Sequence, residues 1–192
     1  MRLELPDDAQ AKLLAYIDLL VRWNRAYNLT AVRDPVEMVS RHLLDSLAVL
    51  PYLHGVTLAD LGSGAGLPGI PLAIARPDSA VTLIESNGKK ARFLREAVRS
   101  LPLSNVVVEQ ARVQEALGTF DTVTARAFAS LPDMLAWGGH LLAPKGHWLA
   151  LKGRVEPVEI DAVPCSFRVV ALHPLRVPDT EGERCVVELA RT

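Results

Sequence analysis

Much of what this chain lacks bears on its class. Its 192 residues include only two cysteines, Cys165 and Cys185, which share no metal-ligand spacing. Two reduced structural thiols are expected rather than a disulfide framework, with Cys165 in the core. The five histidines show no H-x-x-x-H or similar spacing, so no metal is expected. No run approaches the roughly 18 to 20 apolar residues of a membrane span. Residues 1–8 lack the basic flank and apolar stretch of a signal peptide. A cytoplasmic protein without membrane association is therefore expected. Net charge is nearly absent as well, at −1. That argues against a general nucleic-acid coat but leaves room for a local basic patch. Lys89, Lys90, Arg92, Arg95 and Arg99 do cluster against Glu96 alone. Such a run is most often a solvated helix face.

What is present is an ordinary globular balance, 49% hydrophobic and 22% charged, in a length that suits one domain. A chain of this size buries about 70% of its unfolded surface and needs no disulfide to fold. Residues 1–54 read as a helical extension. Asp7 is placed to cap a first helix, with Gln10 at the capping-box position and Leu13, Tyr16, Ile17, Leu20, Trp23 and Tyr27 at helical spacing. The spacing predicts a second helix from Asp34-Pro35-Val36-Glu37, with Met38, Val39, Leu43, Leu47 and Leu50 as its apolar stripe and Pro51 as its end.

From residue 55 to 192 the pattern changes to an α/β core. Residues 56–61, 80–85, 105–109, 120–125 and 146–151 are short apolar runs separated by helical segments, the signature of a parallel sheet covered on both faces. Residues 167–172 and 184–189 are joined by a turn too short for a crossover helix, so they should pair antiparallel. The fold class expected is α/β: a doubly wound, mostly parallel Rossmann-like sheet with an antiparallel C-terminal hairpin and an N-terminal helical extension.

The sharpest motif is Asp60-Leu61-Gly62-Ser63-Gly64-Ala65-Gly66-Leu67-Pro68-Gly69, directly after the first parallel strand. Ligands of this fold bind beyond the carboxyl ends of the strands, where glycines let the backbone come close. Gly64, Gly66 and Gly69 also fit G-x-G-x-x-G, so a dinucleotide is a rival. Two details favour S-adenosylmethionine. Pro68 and Pro71 remove N–H donors that a pyrophosphate would need. Asp60, read as standing at the mouth of the site, would repel a pyrophosphate but suits ammonium and sulfonium charge. Glu85 ends the second strand, where an acid accepts hydrogen bonds from ribose hydroxyls of either cofactor.

The acceptor is less clearly marked. No Asn/Asp-Pro-Pro-aromatic segment follows the fourth strand, which ends Arg126-Ala127-Phe128-Ala129. Arginine is no base at pH 7, so the site suits an acceptor with a free lone pair and no proton, such as N7 of guanine. His42, Asp45 and Ser46 stand at i, i+3, i+4 on one polar face of the second helix, either a solvated flank or acceptor-orienting groups. Asn28, with Trp23 and Tyr27, ends the first helix.

At this point the chain resembles the bacterial 16S ribosomal RNA guanine-N7 methyltransferases, the family also called RsmG or glucose-inhibited division protein B. The resemblance rests on Trp23-Asn24…Tyr27-Asn28-Leu29-Thr30, Arg41-His42-Leu43-Leu44-Asp45-Ser46, the glycine loop, Arg126-Ala127-Phe128-Ala129 and Leu151-Lys152-Gly153. It implies a class I methyltransferase that transfers a methyl group from S-adenosylmethionine to N7 of guanine 527, leaving S-adenosylhomocysteine. It also implies cofactor contacts from Gly62, Leu67, Val113, Gln114 and Arg126, in addition to Asp60, Gly64 and Glu85. Acceptor orientation would fall to Asn28, His42, Asp45 and Ser46. Arg126 is expected to serve the cofactor carboxylate or an RNA phosphate rather than a structural ion pair. Lys89, Lys90, Lys152 and Arg154, near the carboxyl edge of the sheet, are expected to touch phosphates of 16S rRNA or the small subunit, and Arg95 and Arg99 to be solvated. A monomer is expected. The alternatives are a methyltransferase of this fold acting on another RNA or a small molecule, and a non-catalytic dinucleotide-binding protein.

Overall fold

The computed structural model describes residues 4–126 and 129–192. Helix α1 (Asp7–Tyr27) buries Leu13, Tyr16, Ile17, Leu20 and Asn24, three or four residues apart, so one stripe faces the core. The expected capping box does not form. Asp7 is already the first helical residue, after Pro6, and Gln10 Nε2 donates to the Leu5 carbonyl. The charge of Asp7 still suits the positive end of the helix. Asn28 closes α1 in the left-handed region (φ 49°, ψ 53°).

Asp34 caps α2 (Pro35–Met38) as expected, its Oδ1 accepting from the Val36 N–H at 2.9 Å. The segment does not continue as one α-helix. Val39–Leu44 is a π turn that leads into the short α3 (Asp45–Leu47). The wider turn rotates the residues beyond it, so i, i+3, i+4 spacing no longer defines a flank. His42, Asp45 and Ser46 are consequently buried, not solvated.

The sheet has strands β1 (Thr57–Leu61), β2 (Ala80–Ile84), β3 (Val106–Glu109), β4 (Phe120–Arg126), β5 (Leu142–Lys152), β6 (Phe167–Pro174) and β7 (Cys185–Arg191) in the order β3-β2-β1-β4-β5-β7-β6. The first five are parallel. β7 enters antiparallel between β5 and β6. Strand β5 begins four residues before its expected start, and the β4–β5 register shifts between Phe120 and Thr122. Helices α4 (Gly69–Ala75), α5 (Gly88–Ser100) and α6 (Leu131–Gly138) follow β1, β2 and β4. The expected helix after β3 is missing, because residues 110–119 leave room only for the 3-10 turn Val113–Glu115. Between β5 and β6 lies the short α7 (Pro157–Asp161). Cys165, expected in the core, is exposed in the turn after α7.

Alternation along each strand divides the interior into two cores. Leu58, Leu149, Leu151 and Val186 meet α1, α4 and α5, while Ala59, Ala150, Val187 and Leu189 meet α6 on the other face. The direction of winding reverses between β1 and β4, and the crevice beyond their carboxyl ends is the expected ligand position.

Candidate cofactor and acceptor site

Beyond β1 the chain turns through Gly62, Gly64 and Gly66, all at positive φ. At Gly64 (φ +57°) the conformation, not space, requires glycine: an added Cβ would meet nothing closer than 3.6 Å. The turn presents the Gly64 N–H to Glu85 Oε2 at 2.9 Å, and the Asn87 N–H binds Glu85 Oε1 at 2.7 Å. One carboxylate thereby ties the loop after β1 to the end of β2. Each of its oxygens keeps a second lone pair for a ribose hydroxyl. Tyr16 braces the loop from beneath, its hydroxyl donating to the Ala65 carbonyl. The N-terminal extension is thus part of the site, although helical spacing marked Tyr16 only as core.

Asp60 is not at the mouth. It is fully buried under the loop, its Oδ2 accepting from the Gly69 N–H at 3.1 Å and its Oδ1 lying 3.2 Å from Thr124 Oγ1. Burial pushes its pKa up to about 7, against the hydrogen bonds from Gly69, Ser63 and Thr124 that favour the charge. The first N–H of α4 is therefore already taken by a carboxylate, which disfavours a pyrophosphate there.

Gly62, Glu85, Val113, Gln114 and Arg126, five of the expected cofactor contacts, line one cleft of about 410 Å³, together with Lys90. Asp60 and Leu67 are buried and do not line it, and Gly64 reaches it only through its bond to Glu85. The volume suits a small cofactor. The acid at Glu85 and the start of α4, whose first N–H is held by Asp60, fit an adenosine with a positively charged sulfonium.

Arg126, at the end of β4, does make the ion pair that was not expected of it. Its Nη1 lies 3.0 Å from Asp45 Oδ2, and Arg184 Nε lies 3.0 Å from Asp45 Oδ1. Arg126 also lines a second cleft, of about 340 Å³, with Asp45, Lys152, Glu183 and Arg184. Arg184 had no signal in the sequence, since nothing local marks a residue that far along the chain. Ala127 and Phe128 of the quoted motif lie outside the described residues.

His42 lines neither cleft and is not a free base. Its Nδ1 meets the Arg41 carbonyl at 2.9 Å, and its Nε2 lies 2.8 Å from Thr30 Oγ1. The carbonyl can only accept, so Nδ1 carries the proton and Nε2 accepts from Thr30. Burial first, then the charge of Arg126, lowers its pKa to about 4, so the ring is neutral near pH 7. Ser46 Oγ donates to the His42 carbonyl at 2.6 Å. Asn28 is exposed, and its Oδ1 accepts from Arg33.

Of the cations expected at RNA, Lys89 is exposed beside Arg92 and Arg95 along a groove, and Lys90 opens on the 410 Å³ cleft. Arg99 is paired with Glu96. Lys152 is a correction: its side chain is 15% exposed, and its ammonium contacts Glu159 at 2.6 Å and the Ala129 carbonyl at 2.8 Å. It props β5 on α7 rather than facing solvent. Arg154 is exposed and paired with Glu156.

Solved methyltransferases share this architecture. A SAM-dependent methyltransferase from Aquifex aeolicus superposes with a TM-score of 0.59 at 17% identity, over 92% of this chain and 97% of that one. The 1,6-didemethyltoxoflavin-N1-methyltransferase of Burkholderia thailandensis, with bound S-adenosylhomocysteine, gives 0.60 at 14% identity, over 100% and 92%. These likenesses establish the fold, the α/β architecture found in class I methyltransferases. Sequence resolves the class further. The family rRNA small subunit methyltransferase G matches residues 9–187. The chain is 58% identical over 185 residues to Ribosomal RNA small subunit methyltransferase G of Xanthomonas campestris pv. campestris, covering 95% of this chain and 87% of that protein. It is 56% identical over 188 residues to the one from Xylella fastidiosa, covering 96% and 88%. The chain belongs to the rRNA small subunit methyltransferase G family.

Proposed function

We propose that the chain methylates N7 of guanine 527 in 16S ribosomal RNA, holding the cofactor in the first cleft and admitting the guanine through the second. Family membership makes it an S-adenosylmethionine-dependent methyltransferase of small-subunit ribosomal RNA. The observation that supports the finer reading is the meeting of both clefts at Arg126. Arginine cannot take a proton there, and the Asp45 carboxylate beside it is bridged by two guanidinium groups. N7 of guanine has a lone pair and no proton to lose, so this junction needs no base.

When bound, S-adenosylmethionine supplies an electrophilic methyl group on a sulfonium. The chain's own part is orientation. It is also electrostatic: N7 becomes positive as the methyl arrives, which an isolated Arg126 would oppose. Asp45, 3.0 Å away, offsets that charge. Gly62, Glu85, Val113, Gln114 and Arg126 would hold the cofactor, and His42, Asp45 and Ser46 would shape the acceptor side. Lys89 and Lys90 would meet phosphates of the RNA, with Arg154 at the other rim. The whole chain acts as one domain, a monomer working in the cytoplasm, with residues 1–54 bracing the glycine loop through Tyr16. Among the described residues no helix is long and apolar enough to cross a membrane.

Mapping 7-methylguanosine in 16S rRNA from cells with and without the gene tests this reading. The mark at guanine 527 should vanish on deletion and return with the wild-type chain. A mark that survives deletion overturns the assignment.

A further inference from the structure

Away from both clefts, the fold gathers three of the five histidines around one carboxylate. Glu188, on β7, is buried, and its Oε1 lies 3.0 Å from His54 Nε2 and 2.6 Å from His147 Nδ1. Its Oε2 lies 2.6 Å from His173 Nε2. The His54 and His147 rings stack with centroids 3.6 Å apart, and Tyr52 stacks on His173 at 4.1 Å. The residues come from the segment before β1 and from β5, β6 and β7, so no sequence spacing could reveal them.

We propose that His54, His147 and Glu188 bind one divalent transition-metal ion of the zinc class, as a structural clasp between the N-terminal extension and the C-terminal hairpin. The donor set is two imidazoles and a carboxylate, which suits zinc, and a water completes four-coordination. The three ligand atoms already lie within 4.8 Å of one another. Tetrahedral ligands about 2.0 Å from zinc stand roughly 3.3 Å apart, so the 3.0 Å contact of Glu188 with His54 opens by about 0.3 Å and the 2.6 Å contact with His147 by about 0.7 Å. The two rings must also tilt out of their stack, by rotation about χ2, for their lone pairs to converge. His54 has that freedom, its side chain being 40% exposed, and the exposure gives an ion its entry.

Supporting groups are in place. Thr122 Oγ1 accepts from the His54 N–H at 2.9 Å and donates to the His54 carbonyl at 2.7 Å, which fixes the backbone of the most exposed ligand. His147 and Glu188 stand on paired strands. His173 holds the second oxygen of Glu188, as hydrogen-bonded partners do behind metal-bound carboxylates. Each imidazole would bind the ion through the nitrogen that now faces Glu188, the proton on that nitrogen moving to the outer ring nitrogen or to solvent. The clasp lies on the face of the sheet that carries Leu149 and Val186, toward the amino end of β1, and is remote from the glycine loop.

Equilibrium dialysis of the full chain against zinc near neutral pH should find one ion bound per chain, with a dissociation constant in the micromolar range or tighter. Zinc at a hundredfold excess over that constant should raise the melting temperature by about 5 °C. His54→Ala, in a half-exposed loop position, should weaken binding at least about tenfold while leaving S-adenosylmethionine binding unchanged, and His173→Ala should weaken it about tenfold by loosening Glu188. Cobalt in place of zinc should give the visible bands of a four-coordinate nitrogen and oxygen site. Absence of stoichiometric binding, unchanged affinity in a His54→Ala/His147→Ala double variant, or thiolate-to-cobalt charge transfer from Cys165 or Cys185 would each overturn the proposal.

Discussion

Around the first cleft, proposed to hold the cofactor, Glu85 binds the Gly64 N–H 21 residues away in sequence, and the buried Asp60 binds the Gly69 N–H nine residues away. In the second cleft, proposed to admit the acceptor, Asp45 meets Arg126, 81 residues further on, and then Arg184 on the hairpin. The first region is made of carboxylates on backbone donors, and backbone donors survive almost every substitution. The second is made of side-chain ion pairs that a single replacement removes. The two halves should therefore fail differently. The cofactor half should depend on backbone conformation, and the acceptor half on individual charges.

The largest effect expected is that of Gly64→Val. A β-branched residue at φ +57° costs on the order of 1–3 kcal/mol and turns the loop off Glu85, so S-adenosylmethionine affinity should fall by tenfold or more in a folded chain. Titration calorimetry alongside circular dichroism checks this; unchanged affinity would place the cofactor elsewhere.

Asp45→Ala comes next and should separate the two halves. It leaves Arg126 and Arg184 without their shared carboxylate, a change that costs about 3–5 kcal/mol at a buried pair and less at this partly open one. Turnover on RNA should drop by one to two orders of magnitude while the cofactor dissociation constant moves by less than about threefold. Equal loss of both would show that the two clefts are one energetic unit.

A smaller effect is a difference of sign with pH. The pKa of His42 is lowered to about 4 in the folded chain from 6.5, chiefly by burial. Its contribution is intact above pH 6.5 and is lost as pH falls toward 4, because the unfolded chain takes up the proton first. Asp60 is raised by burial to about 7 from 3.8, so its contribution is present at low pH and lost as pH rises through 7. Between pH 7 and 5, urea unfolding should show His42→Gln losing less stability than the wild type and Asp60→Asn losing more. The single-turnover rate between pH 6 and 8 should keep its shape in His42→Gln, since the ring does not titrate there.

The smallest effects concern RNA. Lys89→Ala should lower the slope of log affinity against log salt by about 0.7–0.9 unit if Lys89 meets one phosphate. Arg99→Ala, which removes a cation already paired with Glu96, should leave the slope alone. Lys152→Ala should lower stability and not the slope, because its ammonium is held by Glu159. Equal slopes in all three would mean diffuse attraction rather than a docking face.

Whatever depends on near neighbours could be read along the chain. Alternating apolar runs specified seven strands and the antiparallel end of the sheet. Asp34-Pro35 specified a cap, and the glycine run specified the turn beyond β1, because left-handed backbone admits few other residues. Tertiary structure alone decided which distant side chains meet. The π turn at Val39–Leu44 carried Asp45 inward to Arg126 and Arg184, burial turned Asp60 beneath the loop, and the insertion of β7 beside β5 set Glu188 among three histidines. The reason is physical. Periodicity and backbone preference act within a few residues, whereas a charge or a ring finds its partner only after the chain has closed loops tens of residues long.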